Sequence, residues 1–166
     1  MLLSLIRRAG TIALLAGLVF VGSRIQAQGQ FGAPSANSAF SIPQAQLIQP
    51  ADLNRMLTAK TGDKPLVLQV GSRVLFQQAH IVSSEYTGPG SQPEGLDQLK
   101  KRVSSLPKNK LIVLYCGCCP WGRCPNVAPA YKLLQSMSYT NVKVLYIANN
   151  FGSDWVEKGY AVEGGH

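Results

Sequence analysis

Histidine is nearly missing from this chain of 166 residues: His80 and the terminal His166 are the only two. That scarcity removes multi-histidine metal centres and argues against a Ser-His-Asp hydrolase. Charge is also sparse. Asp, Glu, Lys and Arg make up 14% of the chain, too little for a coiled coil or a long charged disordered tail. Acidic residues number eight against sixteen Lys and Arg, for a formal net charge of +8. Three of the positives, Arg7, Arg8 and Arg24, lie in the first 27 residues, and the remaining excess is dispersed. With no RNP-like aromatic pattern and no zinc-finger histidine pair, no nucleic-acid partner is expected. No internal repeat is visible. What the chain does have is 46% apolar residues, room for one ordinary domain with one core, and four cysteines packed into residues 116–124.

Residues 1–27 read as a secretory signal peptide: a start with Arg7 and Arg8, an apolar run from Thr11 to Val21, and a polar stretch ending at Ala27. The apolar run is about 11 residues, short of the ~20 a spanning helix needs, so no stable membrane anchor is expected after cleavage. Ile25 and Ala27 fit the −3 and −1 sites, and no cysteine lies nearby to carry a lipid. The expected location is exported, periplasmic or secreted. In such a compartment cysteines tend to oxidise, so closely spaced ones are disulfide candidates first. Residues 28–44 are rich in Gln, Gly, Ser, Ala and Pro and read as a flexible linker before a domain over 45–166.

The domain alternates between helical and extended patterns. Residues 51–60 carry Leu53, Met56 and Leu57 at helical spacing, and 65–70 is a short apolar run read as a buried strand. Residues 71–93 read as a long irregular stretch broken by Gly88-Pro89-Gly90. Leu96, Leu99, Val103 and Leu106 predict a helix over 93–106, with Lys100, Lys101 and Arg102 on a solvated face near its C-terminus. The continuous apolar run 110–115 predicts a central parallel strand. A helix over 125–137 with Pro125 in its first turn, a strand over 141–147 and a short helix over 153–158 complete the order. This alternation predicts an α/β fold, an open, mostly parallel sheet with helices on both faces, whose ligands sit at the carboxyl ends of strands. Cys116 is at such an end.

The cysteine segment reads Cys116-Gly-Cys-Cys-Pro-Trp-Gly-Arg-Cys124. A cysteine between a buried strand and a helix N-terminus meets backbone N–H groups and the positive end of the helix dipole, which lower a thiol pKa and cradle an anion. Gly117 and Gly122 allow the backbone angles of such a loop, and Arg123 adds a fixed positive charge. A thiolate attacking a sulfane sulfur needs no separate base, so the scarcity of histidine is no obstacle.

At this point the chain resembles a single-domain rhodanese, a sulfurtransferase, over about residues 45–163. The resemblance rests on Ile48-Gln-Pro-Ala-Asp-Leu53, the strand at 65–70, Phe76-Gln-Gln-Ala-His-Ile81, Leu111-Ile-Val-Leu-Tyr-Cys116, Tyr139-Thr-Asn-Val-Lys-Val-Leu145 and Trp155-x-x-x-Gly159. It implies a rhodanese-like sheet and a catalytic Cys116 that carries a persulfide. It also implies loading from a small sulfur-containing anion or a protein persulfide, and delivery to a thiol or cyanide. It further implies that Gly117, Cys118, Cys119, Trp121, Gly122, Arg123 and Cys124 form the substrate-binding loop. No cofactor is implied. His80 would anchor the connection rather than react. The chain departs from the family pattern in several places. Gln69-Val-Gly71 stands where the family has Asp-x-Arg, Ala79 precedes His80, Asn149-Asn150 replaces Gly-Gly, and the loop is longer, with three additional cysteines.

Those additional cysteines, Cys118, Cys119 and Cys124, leave three readings open. They are resolving thiols that attack a persulfide or sulfenate on Cys116, structural disulfides, or ligands for zinc, copper(I) or an iron–sulfur centre. The spacing is not that of a zinc ribbon, and adjacent cysteines chelate one ion poorly, so no metal is expected. Two rivals to sulfur transfer follow: a thiol–disulfide redox protein on the same fold, and a non-catalytic rhodanese-like binding module, with or without a metal in the cysteine loop.

Overall fold

A computed structural model of the chain describes residues 42–164, so the leader at 1–27 and most of the linker lie outside the described residues. Five parallel strands form the sheet: β1 (Leu47–Ile48), β2 (Leu66–Gln69), β4 (Glu85–Tyr86), β5 (Ile112–Tyr115) and β6 (Val142–Leu145), in the order β1-β6-β5-β2-β4. β5 is central, and all four of its residues are buried, which is why it appears in sequence as an unbroken apolar run.

Side chains alternate across the sheet. Ile112, Leu114 and Cys116 face the side covered by α3 (Pro93–Val103) and α4 (Val127–Ser136), with Leu68 and Val144 beside them. Val113 and Tyr115 face the other side, where α1 (Pro50–Thr58) brings Leu53 and Leu57 and the fully buried Trp155 fills the layer. The α/β architecture with helices on both faces is as the sequence predicts. Among the described residues no helix is long and apolar enough to cross a membrane.

Three expectations about local structure need correction. The stretch 71–93 is not irregular throughout: it holds α2 (Arg73–Gln78), β3 (His80–Ile81) and β4. α2 buries no residue and leaves Val74 62% exposed, so it lacks the apolar stripe that marks a helix in sequence. β3 pairs antiparallel with β7 (Val162–Glu163) near the far end of the chain, a partner no local pattern announces. α4 starts at Val127, so Pro125 precedes its N-cap, Asn126. Pro129 is the third helical residue, where the N–H has no intrahelical partner to lose. The expected helix over 153–158 is a short π-helical turn, Gly152–Val156.

From β2 the chain runs outward to β4 on one side, while from β5 it runs to β6 on the other. The crevice between the carboxyl ends of β2 and β5 is therefore the switch point of the sheet, where open α/β sheets bind ligands. Gln69 and Cys116 stand at its two edges.

Candidate functional site

Cys116 follows β5 directly and points towards the start of α4. Its Sγ is held between three groups: Cys118 Sγ at 2.9 Å, the Nδ2 of Asn126 at 3.3 Å, and Gly71, where an added Cβ would come within 2.7 Å. The approach at Gly71 is close enough that no side chain fits without displacing the sulfur or the Cys116 carbonyl, 2.9 Å from the same point. Gln69 fixes that carbonyl from the other strand. Its Nε2 donates to Cys116 O at 3.2 Å and to Ser72 O at 3.4 Å, while its Oε1 accepts from Gly71 N at 3.2 Å. A neutral amide thus ties the end of β2 to the mouth of the cysteine loop, with its donor and acceptor both satisfied.

Asn126 is the residue the sequence reading passes over. It is buried, and its side chain does not cap α4. Its Oδ1 instead accepts from Ser91 N at 3.0 Å and Ser91 Oγ at 2.7 Å. Ser91 N–H can only donate, so the oxygen must face Ser91 and the amide NH2 must face Cys116 Sγ. The available signal was an Asn directly before a helix, which reads as an N-cap.

The four sulfurs form one cluster. Cys118 Sγ lies 3.2 Å from Cys119 Sγ, and the sulfurs of Cys116, Cys118 and Cys124 are all within 4.8 Å of one another. All four cysteines are free thiols. Their charge is divided differently from the sequence expectation. Hydrogen bonds to Cys118 and Cys124, with burial and the charge of Cys124 added, push the Cys116 thiol well above its ordinary range. Cys124 is instead brought down to about 3 by hydrogen bonds from Cys116 and Cys118 and from the backbone N–H groups of Asn126 and Val127, against the opposing effect of burial. Cys119 is raised, chiefly by its hydrogen bond to Cys118. The helix N-terminus expected to serve Cys116 serves Cys124, because the lengthened loop places Cys124, not Cys116, next to the first turn of α4.

The loop is held in place by its backbone. Gly117 and Gly122 take φ of +77° and +86°, the left-handed angles foreseen for them. Phe151 N donates to Gly117 O, Trp121 N to Ala148 O and Arg123 N to Pro120 O. The N–H groups of Trp121 and Arg123 are therefore engaged with carbonyls, whereas that of Cys118 reaches Cys116 Sγ. Trp121 packs its ring 5.2 Å from that of Tyr146, partly buried against the core.

A cleft of about 310 Å³ opens over Cys116, Gly117 and Cys118. Its walls are formed by Gln69, Leu75, Gln78, Ala79, Tyr115, Asn150, Phe151, Gly152 and Val156. None of these is charged. Cys119, Trp121, Gly122, Arg123 and Cys124 do not line it, and Arg123 is exposed on the loop. Asn150, one of the departures from the family pattern, accepts from Ser153 N through Oδ1 and so caps the Gly152–Val156 turn at the cleft rim. Tyr115 accepts from Ile81 N and shares a hydrogen bond with Ser84 Oγ, and burial pushes its pKa up to about 12. His80 lies outside the cleft. It stacks on Phe76, bonds Phe76 O through Nδ1 at 2.7 Å, and faces Glu163 of β7 at 3.7 Å.

No family model matches the chain, and no curated protein matches it. Solved structures do. A crystal structure of the Alr3790 protein from Anabaena sp. is 21% identical, with a TM-score of 0.54, covering 70% of this chain and 91% of that one. The solution structure of the rhodanese-like domain of Alr3790 is 21% identical at a TM-score of 0.52, covering 72% and 79%. The BH2092 protein from Bacillus halodurans is 22% identical at a TM-score of 0.52, covering 70% and 75%. The parallel five-stranded sheet with helices on both faces agrees with that likeness, and the domain has the rhodanese-like fold.

Proposed function

We propose that this domain is a sulfurtransferase that carries sulfane sulfur as a persulfide on Cys116, acting after export in the periplasm or outside the cell. The observation that carries the reading is the setting of Cys116 Sγ. It sits at the carboxyl end of the central strand, on the floor of a cleft, with an amide N–H donor from Asn126 aimed at it. In loading, the Cys116 thiolate attacks the outer sulfur of a donor persulfide. The new Cys116 Sγ–S bond forms as the donor S–S bond breaks, and the donor leaves as a thiolate with the bonding electrons. Cys116 rests as a thiol and Cys124 as a thiolate, so the step begins with transfer of the Cys116 proton across their hydrogen bond to Cys124, with no histidine required. In unloading, an acceptor thiolate takes the outer sulfur and returns Cys116 to its thiolate.

Of the two partner classes implied by the sequence, the uncharged cleft favours a thiol or persulfide, free or protein-borne, over a small sulfur anion. Thiosulfate would enter it without a compensating positive group, since Arg123 is not among the lining residues. The leader at 1–27 supports export.

One observation favours a second reading. Cys118 Sγ is 2.9 Å from Cys116 Sγ and shares the cleft. A Cys118 thiolate attacking Cys116 Sγ of the persulfide would expel hydrosulfide and leave a Cys116–Cys118 disulfide, which an external dithiol would reopen. Intact mass spectrometry separates the two. Reduced full-length protein is incubated with a low-molecular-weight persulfide, and in parallel with thiosulfate. Gain of one sulfur atom, removed by cyanide and absent in Cys116→Ser, is the expected result. Release of sulfide with loss of two hydrogens supports the second reading, and no change with either donor overturns both in favour of a non-catalytic module.

A further inference from the structure

The spacing argument against a metal pairs Cys118 with Cys119, whose side chains leave adjacent residues. The fold makes another choice: the sulfurs of Cys116, Cys118 and Cys124 form a triangle with every side within 4.8 Å, and Cys119 stands outside it. Three thiolates bound to one ion at about 2.3 Å in a plane lie about 4 Å apart, so the triangle is already of the right size. The Cys116–Cys118 side, 2.9 Å, must open by about 1 Å, a change within reach of the partly exposed Cys118 side chain.

From this geometry we infer a thiophilic metal site formed by Cys116, Cys118 and Cys124, suited to a monovalent soft cation, copper(I). The donor set selects the ion. It is all sulfur, with no imidazole or carboxylate in the cluster, and it offers three ligands in a triangle rather than the four that a structural zinc site requires. The strand end fixes Cys116, the first turn of α4 fixes Cys124, and the loop between them brings Cys118 onto the open side. Binding is an exchange without oxidation: Cu–S bonds form, the protons remaining on the three thiols pass to the buffer, and copper stays copper(I). Because Cys116 is a ligand, an occupied site has no free thiolate to accept sulfur.

The test is an anaerobic titration of reduced, full-length protein with copper(I) against bicinchoninate as the competing chromophore. One equivalent per chain is expected to leave the chromophore, and X-ray absorption should find three sulfur neighbours at about 2.3 Å. Cys118→Ser and Cys124→Ser should each weaken binding by more than about a hundredfold, beyond what loss of an outer-shell partner costs. Cys119→Ser should bind as the wild type does. Cys118 is partly exposed, so its serine variant keeps the test valid even where Cys124→Ser fails to fold. Failure to compete with bicinchoninate, loss of binding in Cys119→Ser equal to that in Cys118→Ser, or displacement of copper by an equal amount of zinc would each overturn the site. The readout involves no turnover, so it stands apart from the sulfur-transfer reading. Sulfur loading is scored on metal-free protein and should be blocked once copper is bound.

Discussion

The replacement Asn126→Asp separates the chemistry of Cys116 from the packing around it. Asparagine and aspartate are nearly isosteric, and one carboxylate oxygen keeps both hydrogen bonds from Ser91, at 3.0 and 2.7 Å. The other oxygen takes the place of Nδ2, 3.3 Å from Cys116 Sγ, so the donor becomes a negative charge facing the reacting sulfur. Loss of a hydrogen bond to a charged group costs about 1.5–3 kcal/mol, a factor of roughly 10–150 in rate. Two like charges at that separation add about 5 kcal/mol of repulsion at an effective dielectric of 20, part of which the variant escapes by protonating the aspartate. Persulfide loading at pH 8, followed by intact mass over time, should therefore fall at least about 100-fold, while the thermal midpoint stays within a few degrees. Asn126→Ala should behave differently. It removes the Ser91 bonds as well, for about 2 kcal/mol, and lowers Tm by roughly 8 °C in a domain of this size. Loading in Asn126→Asp within threefold of wild type, at unchanged Tm, would refute the assignment of the Asn126 amide as a donor to the reacting sulfur.

Gly71→Ala places a methyl group 2.7 Å from Cys116 Sγ, about 1 Å inside ordinary contact, and should cost about 1–3 kcal/mol together with most of the sulfur-loading rate. Denaturant unfolding and the loading assay check it, and an unchanged rate would mean that the sulfur does not lie against β2. Cys118→Ser should keep Cys116 loaded for longer after the donor is removed, because no thiol remains 2.9 Å away to displace hydrosulfide; a persulfide lifetime equal to wild type would exclude Cys118 as the resolving thiol. Arg102 donates to both carboxylate oxygens of Glu85, which holds the Glu85 pKa below the usual carboxylate range. A lowered folded-state pKa stabilises above the unfolded value near 4.3, and that contribution is lost as pH falls through the folded value. Glu85→Gln should therefore cost at most about 1 kcal/mol at pH 7, because the pair is largely exposed, and nothing once the wild-type carboxylate is protonated; a gap that persists in strong acid would refute the ion pair as its cause.

How much of this was legible in the sequence depended on whether a feature is local. β5 is buried on both faces and so reads as an unbroken apolar run, β2 and β6 read as shorter apolar runs that also hold Gln69 and Lys143, and the cysteine at the end of the middle strand follows at once. Gly117 and Gly122 were legible because a sharp loop favours glycine. The pairing of His80–Ile81 with Val162–Glu163 was not, since two residues carry no periodicity and their partner is remote in the chain. α2 was hidden because it buries nothing. Asn126 was hidden because its task is set by Ser91 and Cys116, one on another segment and one at the far end of the loop. The division of charge within the cysteine cluster was misplaced for a related reason. Sequence order puts Cys116 after a strand and before a helix, but the N–H groups that stabilise a thiolate belong to whichever sulfur is nearest the first turn, and the loop is long enough to make that Cys124.

The departures from the rhodanese pattern at 69 and 71 are best understood together rather than as two losses. With this loop, Cys116 Sγ occupies the space beside residue 71, so a side chain of any kind there, arginine included, meets the sulfur and the Cys116 carbonyl before it reaches anything else. Once position 71 is glycine, an aspartate at 69 would be a buried carboxylate without its base, 2% exposed at a residue that must also donate to Cys116 O. Glutamine meets both demands: it is neutral, its Nε2 holds the Cys116 carbonyl, and its Oε1 holds the Gly71 N–H. The same economy of charge extends across the cleft, whose walls carry no ionisable group besides Tyr115 and the two cysteines. Loss of the acid–base pair is thus the packing consequence of bringing a thiol cluster against β2, and it leaves Cys116 Sγ bounded by Gly71, Asn126 and Cys118. That argues against treating the missing pair as a mark of an inert scaffold. What sets this domain apart from the family pattern is the three sulfurs gathered around Cys116.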